Sequence, residues 1–243
     1  MGGIAASAVV LAGALAGCSV SRDEEPEPLG TSEPADVDQP TEEPSDSPTP
    51  SAEPTPSSSP STTALPDPQS ALLTAAELPQ LNDSSPWTQG RTGDPGTRPF
   101  GLCQQFDMLT IGALSAIERS FRSGPVTPKD TAGQLVAEFP DAQNAVRASK
   151  VIEAWHRECR SRVKGQNVKV RPITDVAVTG GTGWWYLVSS ERRGVGHFHS
   201  LGMVLSGTRM SLIRMDHDGQ DHNYEPGQDP LELAVRAVSA RLG

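Results

Sequence analysis

The polar run Asp216-His217-Asp218-Gly219-Gln220-Asp221-His222 is the part of the sequence best equipped for metal chemistry. Its oxygen ligands alternate near a glycine, as in calcium-binding loops, and its two histidines are typical zinc ligands. The run lacks the later glutamate of an EF-hand loop, however, and a polar segment after a strand more commonly forms a turn. We therefore predict a solvated turn, with no metal site and no cofactor.

Acid–base chemistry has one candidate neighbourhood, formed by His197, His199 and Asp216. The motifs of common hydrolases and nucleotide-binding enzymes (Gly-x-Ser-x-Gly, His-Glu-x-x-His and the P-loop) do not occur. The glycine-rich run 180–183 precedes a strand rather than a helix, which predicts a turn and not a phosphate site. The sequence therefore predicts a protein that is not an enzyme and has no catalytic residues.

Hydrophobic periodicity places these residues in an α+β domain. Asp141 should cap a long helix over residues 141–162, whose apolar positions fall on one stripe, and Asp229 should cap a C-terminal helix over 230–242. The order of elements favours a mostly antiparallel sheet packed against these two helices. The other segments are predicted as a short helix over 71–77, a loop over 82–101, and strands over about 113–121, 131–139, 167–173, 183–191, 196–206 and 208–216.

The last three strands should form a meander, because Arg193-Gly194 and Ser206-Gly207 are turn signals. Two-residue loops at both turns would pair residue 192 with 195 and residue 205 with 208. Side chains alternate along a strand, so both faces of this sheet are apolar. The first face would carry Trp184, Tyr186, Val188, His199, Leu201, Met203, Met210 and Leu212, and the second face Trp185, Leu187, Phe198, Val204, Ile213 and Met215.

The same register predicts a polar rim around an apolar floor on the first face, with His199 opposite Arg214 and His197 opposite Asp216. Such a floor and rim are typical of a ligand cleft. The alternative is an ordinary core, filled by the loops and strands of residues 80–140. Two helices could cover one face, but the other then needs the N-terminal loop, a partner or a ligand. The candidate cleft residues are Trp184, Tyr186, His197, His199, Arg214 and Asp216.

Residues 4–17 are small and apolar, and they end in Leu15-Ala16-Gly17 directly before Cys18. The run is too short to span a bilayer, and it resembles the signal peptide and lipobox of bacterial lipoproteins. The resemblance implies cleavage before Cys18 and its acylation, which would anchor the protein to the extracytoplasmic face of the cell membrane. No lysine or arginine precedes Cys18, so either the start codon lies upstream or the amino terminus alone supplies the positive charge.

We predict a signal peptide over residues 1–17, a disordered tether over 18–69, and a folded domain over 70–243. Residues 19–70 hold 12 acids, one base and 12 prolines, a net charge of −11, and such a segment cannot bury enough apolar area to fold. As a random coil it would span about 40 Å. Residues 71–243 hold 18 acids and 19 bases, a net charge of +1. That balance removes the main support for nucleic acid as a partner.

Cys103 and Cys159 remain once Cys18 is assigned to the lipid anchor. In an exported protein an isolated pair is expected to be oxidised. The bridge would close a 57-residue loop (159 − 103 + 1), which is worth about 4 kcal/mol by loop entropy. It would connect the loop after Phe100 to the long helix, and we assign this pair no metal or catalytic role.

Four segments of the domain add to the lipobox and the acidic tether: Leu72-Leu73-Thr74-Ala75-Ala76-Glu77-Leu78-Pro79, Ala137-Glu138-Phe139-Pro140-Asp141-Ala142, Trp155-x-x-x-Cys159 and Gly227-Gln228-Asp229-Pro230. These features together resemble actinobacterial lipoproteins that carry a PknH-like extracellular sensor domain. The resemblance implies a curved antiparallel sheet with helices, disulfides, a large cleft and no catalytic residues. The chain departs from kinase-attached members, because it has one cysteine pair in place of two and no kinase domain.

The sequence therefore predicts a cell-surface lipoprotein whose tethered domain binds or senses a ligand in the envelope. Its partners would be the membrane, through the lipid anchor, and an envelope ligand or protein. The alternative is a structural or protein-interaction lipoprotein without a small-molecule ligand.

Overall fold

The computed structural model describes residues 67–82, 86–124 and 130–242. The predicted signal peptide, the lipidation site Cys18 and the tether up to residue 66 lie outside the described residues, and they remain predictions. Within the described ranges, no helix is long and apolar enough to cross a membrane.

The described part of the domain is α+β, as predicted, with eight strands in one antiparallel sheet and two α-helices. The strands are β1 (Trp87–Gly93), β2 (Ser115–Ser123), β3 (Thr131–Glu138), β4 (Gln166–Val170), β5 (Thr174–Val176), β6 (Thr182–Arg192), β7 (Val195–Ser206) and β8 (Arg209–Gly219), and the helices are α1 (Ala142–Glu158) and α2 (Pro230–Leu242). Their order across the sheet is β1-β2-β3-β8-β7-β6-β4, and β5 also pairs with β6. The predicted meander β6-β7-β8 therefore lies at the middle of the sheet and continues into β3.

Helix α1 begins where its sequence predicts and covers the first face of the sheet. Asp141 Oδ1 accepts a hydrogen bond from the Asn144 N–H at 2.7 Å, which satisfies one of the free donors of the first turn. The apolar stripe of α1, including Ile152 and Trp155, is buried against Met203 and other side chains of the first face. A short 3-10 turn (Cys159–Ser161) extends the helix.

Helix α2 covers part of the second face, so the two helices lie on opposite sides of the sheet. Its residues Leu231 and Val235 are buried together with Val204 and Ile213. A Cβ atom on Gly202 would lie 2.5 Å from Val235 Cγ2, so this glycine allows α2 to approach β7 closely. Both faces are apolar, and each helix buries part of one of them.

The register of β7 and β8 differs from the predicted one by two residues. The turn consists of Gly207 and Thr208, so that Ser206 pairs with Arg209. Gly207 has a positive φ of 56° at the first central position, where only glycine is readily accommodated. A shift of two residues leaves every side chain on its predicted face but changes its neighbour across the strands. The other hairpin has the predicted register, with Arg192 opposite Val195.

Two predictions for the N-terminal part of the domain are wrong. Residues 71–77 do not form a helix; a 3-10 turn (Pro68–Ala71) leads into a segment whose Leu72 and Leu73 are each 1% exposed. This segment is held by hydrogen bonds to a side chain of β3, and these bonds replace the backbone hydrogen bonds of a helix. The predicted loop over 82–101 contains β1, a polar edge strand that pairs with β2 and has no marked apolar alternation.

Candidate functional site

The cleft predicted on the first face is only partly open. Tyr186, His199, Arg214 and Asp216 line a recess of about 250 Å³, together with residues 99–102. Trp184 and His197 do not line this recess, and Trp184 is buried at 4% exposure. The first face is therefore mostly core, with a small opening at its polar end.

The loop after β1 covers the polar end of this face, beyond α1. Arg214 Nη1 donates to the carbonyl oxygen of Phe100 at 3.0 Å, and a Cβ on Gly101 would lie 3.1 Å from the Leu201 side chain. Glu118, whose side chain is 7% exposed, accepts from Arg98 and lies 3.5 Å from Arg214 Nη2. This ion network fixes the loop over the sheet beside the recess.

The predicted disulfide is present, and it links the same loop to the end of α1. Cys103 and Cys159 are bonded, with their Cα atoms 5.0 Å apart, and both are buried. The bridge connects the loop to the C-terminal end of α1, as the sequence predicts.

Histidine and aspartate side chains form pairs across β7 and β8. His199 Nδ1 lies 2.8 Å from Asp216 Oδ1, and His197 Nδ1 lies 2.5 Å from Asp218 Oδ1. These pairs replace the predicted neighbours, His199 with Arg214 and His197 with Asp216, because of the two-residue shift in register. A carboxylate beside Nδ1 orients the ring. The adjacent hydroxyl of Ser200 is not directed to this pair, because it donates to the Met215 carbonyl.

Tyr186 belongs to the core rather than to a binding surface. Its ring lies 4.4 Å from the His156 ring and 5.9 Å from the Trp184 ring, centroid to centroid. Burial raises the pKa of the Tyr186 hydroxyl well above its ordinary value. The aromatic residues predicted for the cleft therefore pack under α1.

A second pocket lies on the opposite face, beside α2. It has a volume of about 260 Å³, and its floor comes from Trp185 and Leu187 of β6, Phe198 of β7, and Met215 and His217 of β8. Trp185, Leu187 and Phe198 are only half-buried. The sequence placed the apolar floor residues on this face. It also predicted that one of the two faces needs a further cover, by the N-terminal loop, a partner or a ligand, but it did not decide which face.

The wall of this pocket is the segment of residues 221–227 that connects β8 to α2. Tyr224 donates from its hydroxyl to the Leu81 carbonyl at 2.8 Å, and burial raises its pKa to about 12. The rings of His217, His222 and Tyr224 follow one another, with centroid distances of 4.6 and 5.7 Å. These contacts hold the wall over the floor. Sequence reasoning missed Leu81 and Tyr224, because nothing local marks either as a wall residue.

The run over 216–222 contributes to this pocket and not to a solvated turn alone. Strand β8 continues to Gly219, beyond its predicted end, because it stays paired with β7 as far as Gly196 opposite Gly219. His217 lies on this extension. Its Nδ1 lies 2.5 Å from Asp130 Oδ1, and its Nε2 lies 3.1 Å from the Gln220 carbonyl oxygen. No group of three metal-ligating side chains converges within residues 67–82, 86–124 and 130–242.

Charged groups at the mouth of the pocket are mostly paired. Arg171 Nη2 lies 3.5 Å from Asp221 Oδ2, and Glu232 pairs with Arg236. Asp229 caps α2 by accepting from the Leu231 N–H at 2.8 Å, and burial raises the pKa of this carboxyl. The site therefore has an aromatic and aliphatic floor and a polar, mildly acidic rim.

Comparison with known proteins gives structural likeness at low identity. No family model matches the chain, and no curated protein matches it. One similar solved structure is the extracellular domain of PknH from Mycobacterium tuberculosis, with 12% identity, a TM-score of 0.48, and coverage of 70% of this chain and 93% of that one. Another is LpqN, involved in cell envelope biogenesis of the same organism, with 13% identity, a TM-score of 0.28, and coverage of 67% and 83%.

Proposed function

We propose that the protein is a lipid-anchored, non-catalytic domain of the cell envelope that binds a small organic molecule in the pocket on the second face. The observation that carries this proposal is the half-buried floor of Trp185, Leu187 and Phe198. Helix α2 and residues 71–78, here called the N-terminal segment, cover the rest of this face, whereas the floor faces a cavity.

A partly exposed aromatic floor in a sheet is energetically costly, since its apolar area stays in contact with water. A ligand with an apolar body would remove that area from water, while the polar rim would orient it. The volume of about 260 Å³ lies just below the usual range of about 300–1,000 Å³ for drug-sized ligands. We therefore expect a small, largely apolar or aromatic ligand.

The sequence before the domain supports a position at the membrane. The apolar run that ends at Cys18 resembles a lipoprotein signal, and the acidic, proline-rich tether would hold the domain away from the bilayer. The proposed location is the extracytoplasmic face of the cell membrane.

Native mass spectrometry of the exported full-length chain tests the proposed function. A wild-type protein that retains a small organic mass should lose it when Ser200→Trp places an indole in the pocket. Val195→Trp, at the exposed β6-β7 turn, is the matched control and should keep the mass. If the host supplies no ligand, p-cresol serves as a probe, with binding followed by the NMR signals of the Trp185 indole.

Two results would contradict the proposal. One is a retained mass, or p-cresol binding, that is unchanged in folded Ser200→Trp. The other is a wild-type chain that carries no mass and does not bind p-cresol. Where Ser200→Trp fails to fold, Phe198→Ala provides the same test by removing part of the floor.

A further inference from the structure

Negative charge is in excess around the pocket beside α2. Four carboxylates line this pocket, whereas Arg171 is the one lysine or arginine among its described lining residues. The other ionisable lining groups are two histidines and a tyrosine. The four carboxylates, here called the acidic rim, belong to Asp221, Glu225, Asp229 and Glu232.

Cationic side chains neutralise the acidic rim only in part. Glu232 pairs with Arg236, one turn further along α2. Asp221 Oδ2 lies 3.5 Å from Arg171 Nη2, but both side chains are exposed, so water screens this pair. These two contacts leave the other half of the rim to be accounted for.

That half has no cationic partner among the described residues. Glu225 is exposed and forms no ion pair there. Asp229 Oδ1 accepts a hydrogen bond from the backbone N–H of Leu231 at 2.8 Å, which satisfies the carboxylate without cancelling its charge. The mouth of the pocket therefore keeps net negative charge.

The wall of the pocket also lies in a negative potential. Burial, and then the charges of three carboxylates, raise the pKa of the Tyr224 hydroxyl to about 12. Two of the three, Asp229 and Asp221, belong to the acidic rim, and the third is Asp130. A second negative charge in this place, whether a phenolate or an anionic ligand, is therefore disfavoured.

Features that would favour an anion are already offset by carboxylates of the chain. Asp130 Oδ1 lies 2.5 Å from His217 Nδ1 and balances this histidine when it is protonated. The positive end of the α2 dipole faces the capping carboxylate of Asp229, and Glu232 lies in the first turn. Neither the histidine nor the helix start is thus free to attract an anionic ligand.

We propose that the pocket selects an organic cation, namely a small amine or quaternary ammonium compound with an apolar or aromatic body. This ligand class rests on the proposed function, since it belongs to the same pocket. The body would lie on the floor of Trp185 and Phe198, and the charged group would lie near Glu225 and Asp229. Aromatic rings favour the same sign of charge, because the face of a ring attracts cations.

Three probes with a common phenol ring test the sign of the ligand charge. At neutral pH tyramine is a cation, p-cresol is uncharged, and 4-hydroxyphenylacetate is an anion. Each is titrated into the full-length chain with Cys18→Ser, which cannot be acylated, and binding is followed by the NMR signals of the Trp185 indole. We expect tyramine to bind about tenfold more tightly than p-cresol, and 4-hydroxyphenylacetate to bind less tightly than p-cresol. High salt should weaken the binding of tyramine but not that of p-cresol.

Charge variants assign the selectivity to the acidic rim. Asp221→Asn with Glu225→Gln should lower the affinity for tyramine about tenfold and leave the affinity for p-cresol unchanged. Arg171→Gln should act in the opposite direction and raise the affinity for tyramine about threefold. The matched control is Glu158→Gln, which removes an exposed carboxylate at the end of α1 and should change neither affinity. Thermal unfolding verifies that each variant is folded.

The outcomes separate this proposal from the proposed function. If p-cresol binds but tyramine binds no more tightly, or if 4-hydroxyphenylacetate binds best, the pocket is a ligand site without the preference for a cation. The same conclusion follows if the tyramine affinity is unchanged in folded Asp221→Asn with Glu225→Gln. If none of the three probes binds to the wild-type pocket, the proposed function and the cation preference both fail.

Discussion

Arg214 contacts both the backbone and the ring of Phe100. Its Nη1 donates to the Phe100 carbonyl at 3.0 Å, and its guanidinium carbon lies 5.0 Å from the centroid of the Phe100 ring. The same side chain lies 3.5 Å from buried Glu118. One residue of the central strand β8 thus holds the loop that covers the polar end of the first face.

Replacing Arg214 with methionine should destabilise the domain by about 2 kcal/mol. The change keeps the apolar stem but leaves the Glu118 carboxylate, among the described residues, with only the exposed Arg98 as its ion-pair partner. Urea unfolding measures the difference. Arg122→Met, at an exposed position of β2, should change the free energy of unfolding by less than about 0.5 kcal/mol. Equal effects of the two variants would show that the Arg214 contacts add no stability.

Loss of the Cys103–Cys159 bond should lower the free energy of unfolding by about 4 kcal/mol. The bond closes a long loop, so its removal returns that conformational freedom mainly to the unfolded chain. The measurement is urea unfolding of Cys103→Ser with Cys159→Ser, compared with the wild type with and without reductant. Cys18→Ser serves as the control and should unfold like the wild type, and reductant should not affect the double variant.

Gln134 is expected to be essential for holding the N-terminal segment against the sheet. It is fully buried; its Oε1 accepts from the Leu73 N–H at 2.6 Å, and its Nε2 donates to the Ala71 carbonyl at 3.0 Å. Gln134→Leu would leave both backbone groups buried without a partner, at a cost of about 2–3 kcal/mol. Hydrogen exchange at Leu73 should become faster, while the exposed control Gln89→Leu should leave it unchanged.

Acid should weaken the contact between the N-terminal segment and α2. Hydrogen bonds from the backbone and side chain of Thr74, followed by Arg241, lower the pKa of Glu77 to about 2. A carboxyl with a lowered pKa in the folded state stabilises the fold above its ordinary pKa and loses that contribution as the pH falls. The stability difference between wild type and Glu77→Gln should therefore shrink as the pH falls from the ordinary glutamate pKa of 4.5 to about 2. A stability difference that stays constant over this pH range would contradict the lowered pKa of Glu77.

Local sequence patterns were sufficient to predict most of the helices and strands. The apolar stripe and Asp141 define α1, Asp229 defines the start of α2, and alternation defines the strands of the meander. Capping and periodicity depend on residues within one or two turns or strands, so a single sequence contains that information. The pairing of Cys103 with Cys159 followed because only two cysteines remained.

The features that the sequence did not predict depend on long-range packing. Strand β1 is recognisable only beside β2, and the position of the Gly207 turn shifted the β7-β8 register by two residues and gave His199 a carboxylate neighbour. The sequence correctly assigned residues to two apolar faces, because side-chain alternation is local. How much of each face is filled, and where a recess remains, depends on where α1, α2 and the loop after β1 pack, and this was decided only in the tertiary structure.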